Sequence, residues 1–254
     1  MDGTIGFALL LSTLAGMSTT LGSLLGVVVR KPGPRLLTLT LGFSGGVMIH
    51  VAYVELLQSG IDAVGFGPAH VAFFGGIVAM FIIDATVPHY FMAERHLVEN
   101  TGQNAQLFRA GLFVALGVGI HNFPEGMASF VGALQERSLG VAIAAAIALH
   151  NIPEGLAIAA PVYASTGSRS KAVLWSFLGG MTEPLGAALT ALLLLPSLDQ
   201  RLLNYVLSAV AGIMVFISVD ELVPVCRSFG EEHLSIVGIV AGMVIMTLGL
   251  WILS

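Results

Sequence analysis

The sequence predicts an all-α integral membrane protein, one bundle of eight transmembrane helices with both termini outside. Three observations carry that reading. Of 254 residues, 56% are hydrophobic and only 10% are charged, where a water-soluble domain carries about 25% charged residues. Mean hydropathy is +0.92. The apolar residues also fall into eight stretches, each long enough to cross a hydrocarbon core of about 30 Å.

Those stretches occupy roughly residues 5–29, 36–57, 69–88, 108–134, 139–165, 171–195, 202–222 and 235–253. The first has no basic segment before it, since Asp2 is its only charge, and it runs past the length of a signal-peptide core. It is therefore expected to be a retained span. Turn or charge signals separate the stretches: Lys31-Pro32-Gly33-Pro34, Ser59-Gly60, Gln135-Glu136-Arg137, Thr166-Gly167-Ser168 and Pro196-Ser197. The longest connection, about 89–107, is polar, with Glu94, Arg95, His96 and Glu99 among its residues. No second domain or low-complexity tract interrupts the pattern, so residues 1–254 read as one unit. Thirty-one glycines suit helices that pack closely in lipid.

Basic residues set the direction of threading. The connections after the first, third, fifth and seventh spans hold Arg30, Lys31, Arg35, Arg95, Arg109, Arg169, Lys171 and Arg227, against Arg137 and Arg201 on the other side. That asymmetry places the 89–107 loop in the cytoplasm and both termini outside. The single cysteine, Cys226, excludes an intramolecular disulfide and a thiolate zinc cluster.

Ionisable groups inside lipid are costly and point to function. Here they concentrate in two near-copies, His121-Asn122-Phe123-Pro124-Glu125-Gly126 and His150-Asn151-Ile152-Pro153-Glu154-Gly155. Each copy lies midway along its span, in consecutive antiparallel spans, so both come to about the same depth. His and Glu four residues apart share one helical face. Imidazole with carboxylate suits a borderline divalent cation such as Zn²⁺, Fe²⁺, Co²⁺ or Mn²⁺. Glu125 and Glu154 together neutralise one dication, and neutral His121 and His150 complete four ligands. Pro124 and Pro153 release the carbonyls of Ile120 and Leu149, tolerable where a helix lines a wet path. A lone His or Glu in a span is often merely paired with a neighbour; two matched copies argue for a metal site.

Other intramembrane candidates are single residues. Glu183, mid-span and followed by Pro184, is expected in the same site. Met48 offers a soft thioether as an auxiliary ligand, against the commoner role of methionine as packing. His50 reads first as a hydrogen-bonded structural histidine, with ligand or path residue as alternatives. Glu55 lies toward the outer end of its span, where it would attract cations. Asp84, His89, Asp220 and Glu221 lie toward inner span ends, as an exit route or as a wet interface.

The paired motifs resemble the signature of the ZIP (Zrt-, Irt-like) family of divalent-metal transporters, in its bacterial form. Leu41-Gly42-Phe43, Asp84 through Pro88-His89 and Ser218-Val219-Asp220-Glu221-Leu222-Val223-Pro224 extend the likeness over the whole chain. The resemblance implies a ZIP-like bundle in the bacterial inner membrane and uptake of zinc into the cytoplasm, with iron, manganese, cobalt and cadmium as further substrates. It also implies a homodimer within the lipid bilayer, no nucleic-acid partner and no prosthetic group. It implies a binuclear site, one metal held by His121, Glu125, His150 and Glu154 with Met48 nearby. Asn122, Asn151 and Glu183 would hold the second, with Glu125 and Glu154 bridging. Gln58, His50, Pro184 and a cytoplasmic loop with only His89 and His96 depart from the family pattern.

An intramembrane metalloprotease would be expected to carry H-E-x-x-H. Here Asn follows each histidine, and charge balance leaves no free glutamate as general base. A purely structural metal site leaves the acids near both membrane faces unexplained.

Overall fold

The computed structural model describes residues 2–29, 33–86, 103–194 and 199–253, and every regular element among them is helical. Helix α1 spans Asp2–Val29 and α2 Pro34–Val51; α2 continues through a π-helical segment, Ala52–Leu57, into α3, Gln58–Val64. Then come α4 (Phe66–Thr86), α5 (Gln103–Gln135), α6 (Arg137–Thr166), α7 (Arg169–Gly180) and α8 (Thr182–Leu194). Helix α9 (Gln200–Ile217) runs through a second π-helical segment, Ser218–Leu222, into α10 (Val223–Arg227), and α11 (Glu232–Leu253) follows.

Among the described residues, six helical stretches are long and apolar enough to cross a membrane: Gly3–Val28, Pro34–Val64, Phe66–Ala85, Arg137–Thr166, Arg201–Arg227 and Glu232–Ile252. The other two expected spans are also helical. Residues 108–134 fall within the 33-residue α5. The sixth is split at Met181 into α7 and α8, of 12 and 13 residues. At 1.5 Å per residue neither half spans ~30 Å alone, while the two end to end do.

Several breaks match the chain's punctuation. Gly167 ends α6 in a left-handed conformation (φ 63°), and its N–H bonds the Tyr163 carbonyl at 2.8 Å. Ser168 caps α7 by accepting the Lys171 N–H at 3.3 Å, and Asp199 caps α9 from Arg201 at 2.9 Å. Ser59-Gly60 is different: helix continues through both to Val64, and the turn falls at Gly65 (φ 90°). Gly60 answers to packing, because a Cβ there would overlap the Ser208 hydroxyl of α9. Lys31-Pro32 and Pro196-Ser197 lie outside the described residues, as do His89, His96 and most of the 89–107 loop.

The bundle presents an apolar outer surface and holds buried polar side chains within a hydrophobic core. Leu14, Leu21, Val71, Phe74, Val240, Val244 and Trp251 face outward, while Ser12, Thr19, Ser44, Asn122, Glu125, His150, Asn151, Glu154 and Glu183 are buried. Water would penalise such a surface; lipid does not. Helix packing sorts the elements into two bodies. In the first, α1 packs on α6 and α7, and α5 packs on α6 and α8. In the second, α2 packs on α11 and α4 on α9. They meet where α2 lies against α6 and α9 against α5. The two π-helical segments sit reciprocally in the second body, Ala52–Leu57 against α9 and Ser218–Leu222 against α2. Such segments are uncommon and often mark functional positions.

Candidate metal centre

Both H-N-x-P-E-G motifs lie inside unbroken helices, the first in α5 and the second in α6, and α5 and α6 pack on each other along their length. Gly126 and Gly155 set how closely the neighbours come. A Cβ on Gly126 would fall inside the van der Waals envelope of the Glu183 carbonyl oxygen, and one on Gly155 inside that of Thr19. Each motif therefore ends at a point where another backbone, α8 for the first and α1 for the second, touches the helix directly.

Five site side chains are almost completely sealed: Asn122, Glu125, Asn151 and Glu183 are each 0% exposed and Glu154 is 1%. His150 is equally buried, and its Nε2 lies 3.1 Å from Glu125 Oε1, joining the histidine of one motif to the glutamate of the other. Asn151 donates from Nδ2 to Glu183 Oε2 at 2.9 Å and to the Ala15 carbonyl at 3.1 Å. Asn122 donates from Nδ2 to the Gly179 carbonyl at 3.3 Å. Both amide nitrogens are thus anchored on a flanking backbone, which leaves both amide oxygens turned away from it. Glu183 lies within electrostatic reach of Glu125 and Glu154.

Four buried oxygens of this cluster receive no hydrogen bond from a described residue: Asn122 Oδ1, Glu125 Oε2, Asn151 Oδ1 and Glu183 Oε1. All four are acceptors. A buried acceptor without a donor costs on the order of 1–3 kcal/mol, and a buried carboxylate without a counter-charge costs more. Carboxylate and amide oxygens of this kind are groups that a divalent cation takes as ligands.

Pro184 falls in the first turn of α8, where a missing N–H breaks no helical bond. The break at Met181 makes that proline permissible, and the Glu183 carboxylate remains directed at Asn151.

Not every candidate joins this cluster. His121 occupies α5 one turn before Glu125, but its side chain lies outside the described residues. Met48 is wholly buried on α2 and belongs to the bundle's hydrophobic core, one turn from Ser44. His50 turns toward α11, where its Nε2 lies 3.2 Å from the Thr247 hydroxyl. Glu55 sits half-buried in the first π-helical segment, Asp84 is half-buried near the end of α4, and Asp220 is exposed in the second segment. The Glu221 side chain is outside the described residues. Gln58 donates to Asp62 at 2.8 Å on the surface. Among the described residues, no three His, Cys, Asp or Glu side chains draw together closely enough to hold an ion jointly. Each carboxylate leans instead on a donor of its own.

The sequence analysis did not single out Ser44. It is buried on α2, and its hydroxyl lies 3.0 Å from Glu154 Oε1 and 3.3 Å from the His150 carbonyl oxygen. The available signal was spacing: Ser44 stands four residues before Met48 and so shares its helical face.

Fold and site together define a multi-pass membrane protein built around a buried, acceptor-rich carboxylate centre. The family described as ZIP Zinc transporter matches residues 94–249. A zinc transporter ZupT of Chlorobium phaeovibrioides is 48% identical over 97% of this chain and 98% of its own length. Others of that name, from Streptococcus mutans and Oceanobacillus iheyensis, are 44% and 42% identical, over 96% and 100% of this chain and the same shares of their own lengths. The chain belongs to the ZIP zinc transporter family.

Proposed function

We propose that this protein carries zinc into the cytoplasm through an intramembrane binuclear site formed by His121, Asn122, Glu125, His150, Asn151, Glu154 and Glu183. The observation that carries the reading is the set of four buried acceptor oxygens, on Asn122, Glu125, Asn151 and Glu183, with no described donor. Relatives named as zinc transporters support zinc as the cargo. Fe²⁺, Mn²⁺, Co²⁺ and Cd²⁺ are further cargo of the same donor set, which mixes imidazole with oxygen. The chain works in the bacterial inner membrane as eight crossings with both termini outside, and assembles as a homodimer. Zinc influx into proteoliposomes containing the purified protein tests the activity. No influx above protein-free vesicles, under an inward zinc gradient and at several pH values, would end this reading.

The histidines choose among metals. Imidazole favours zinc over manganese in the usual affinity order, so His121→Ala and His150→Ala are expected to weaken Zn²⁺ binding more than Mn²⁺ binding. Isothermal titration with both ions measures it. Equal losses would mean that the histidines shape the helices without selecting the ion.

Glu183 governs the second ion. Two dications bring four positive charges against the three of Glu125, Glu154 and Glu183, so the second depends on Glu183 for its local counter-charge. Glu183→Gln keeps the shape and a hydrogen-bonding oxygen for Asn151. The variant is expected to bind one metal per chain where the parent binds two, and to transport more slowly. Elemental analysis of purified protein, with initial influx rates, decides between one ion and two.

A further inference from the structure

We propose that Ser44 is a positioning residue for the metal site, a latch that ties Glu154 on one helical body to α2 on the other. The inference rests on reading Glu154 as a metal ligand. Ser44 is 0% exposed, and its hydroxyl faces two acceptors on one turn of α6, Glu154 Oε1 at 3.0 Å and the His150 carbonyl oxygen at 3.3 Å. A hydroxyl has one proton to donate. The carboxylate is the closer acceptor and the stronger one, because a charged acceptor roughly doubles the strength of such a bond. The Ser44 bond thus fixes Oε1 and with it the direction in which Oε2 points.

The position of Ser44 gives that bond a second consequence. Asn122 to Gly179, Asn151 to Ala15 and Glu183, and Ser12 to Ser129 (2.5 Å) all join helices of the first body. Ser44 lies on α2, in the second body, and reaches across the boundary between the two. A dication on Glu154 needs that carboxylate held in one orientation, and Ser44 holds it, so ion and hydroxyl favour the same arrangement. By linkage, whatever the ion does to the Ser44 bond, Ser44 does to the ion's affinity by the same factor. Ion occupancy and the seating of α2 against α6 are therefore coupled through this hydroxyl. Ser44, one turn before Met48 on the same face of α2, is thus a polar contact from the second body to a site carboxylate.

The test uses the full-length protein in detergent with zinc chloride as the probe, comparing the parent with Ser44→Ala and Ser44→Thr. Titration calorimetry reads affinity and stoichiometry, and hydrogen exchange reads residues 38–51 with and without zinc. Loss of a hydrogen bond to a metal-ligating carboxylate costs about tenfold or more in affinity. Ser44→Ala is expected to bind zinc about tenfold more weakly at unchanged stoichiometry. In the parent, zinc is expected to alter exchange across 38–51; in Ser44→Ala that response is lost, and Ser44→Thr, which keeps the hydroxyl, restores it. Parental affinity in Ser44→Ala, or a parent that binds zinc with no response at 38–51, would overturn the latch and leave the metal site standing. The parent measurement decides even if Ser44→Ala does not fold. A parent that binds no zinc sinks the metal-site reading and this one together.

Discussion

Alanine at Glu125 or at Glu154 is expected to abolish uptake of every cation while leaving a folded protein in the membrane. Each residue brings a negative charge into a region with no aqueous counter-charge, and no neighbouring neutral group can supply it. Glu125 is wholly buried and holds His150 through Oε1, with Oε2 given no hydrogen bond by any described residue. Glu154 is held by Ser44. Truncating one partner of a buried, hydrogen-bonded charge pair typically costs about 2–5 kcal/mol of binding, and about 3 kcal/mol is more than 100-fold in affinity. The fold does not need these charges, since burying them opposes folding. The measurement is zinc influx at matched expression, alongside size-exclusion profile and thermal stability. Near-parental influx in either variant would remove the proposed site.

Gly126→Ala and Gly155→Ala should act by the opposite route, breaking the protein before the chemistry. At both positions the added carbon would enter the envelope of a backbone carbonyl oxygen, of Glu183 for Gly126 and of Thr19 for Gly155. A flexible side chain can move aside; a helix backbone can do so only by separating two helices. Overpacking a tight core costs about 1–3 kcal/mol and sometimes more, and backbone contacts put these two at the upper end. In lipid the loss is not recovered by apolar burial, because close van der Waals contact is what holds helices together there. Both variants are expected to show a clearly lower melting temperature in detergent and reduced yield. Gly75→Ala, where nothing lies within 4 Å, is the control and should be neutral. A parental melting temperature for Gly126→Ala would mean that α5 and α8 are not in direct backbone contact.

Metal selectivity and the latch depend on finer differences than these. His150 meets Glu125 rather than the glutamate of its own motif. One turn along a helix is the nearest partner that sequence spacing offers, and the opposing helix offered a nearer one. The same limit hid Ser44. A serine in an apolar stretch is common, and only the crossing of α2 over α6 brings this one to a carboxylate. His50 and Met48 were equally ambiguous as letters. The crossing geometry turned one toward Thr247 and left the other in an apolar cluster.

Length, composition and the repeated H-N-x-P-E-G motif by themselves determined that this is a membrane-embedded helical bundle with a divalent-metal signature. Those properties are local or additive: hydropathy sums along a span, and a motif is read in one helical turn. Tertiary structure alone decided where the second span ends, why Pro184 is harmless, and which donor each carboxylate faces. Gly60 reads as a turn until α9 is seen lying against it. Pro184 reads as a disruption until the break at Met181 places it in a first turn. Each depends on contact between residues far apart in the chain, and the energy of such a contact is a property of how two helices cross, which neither helix's sequence contains.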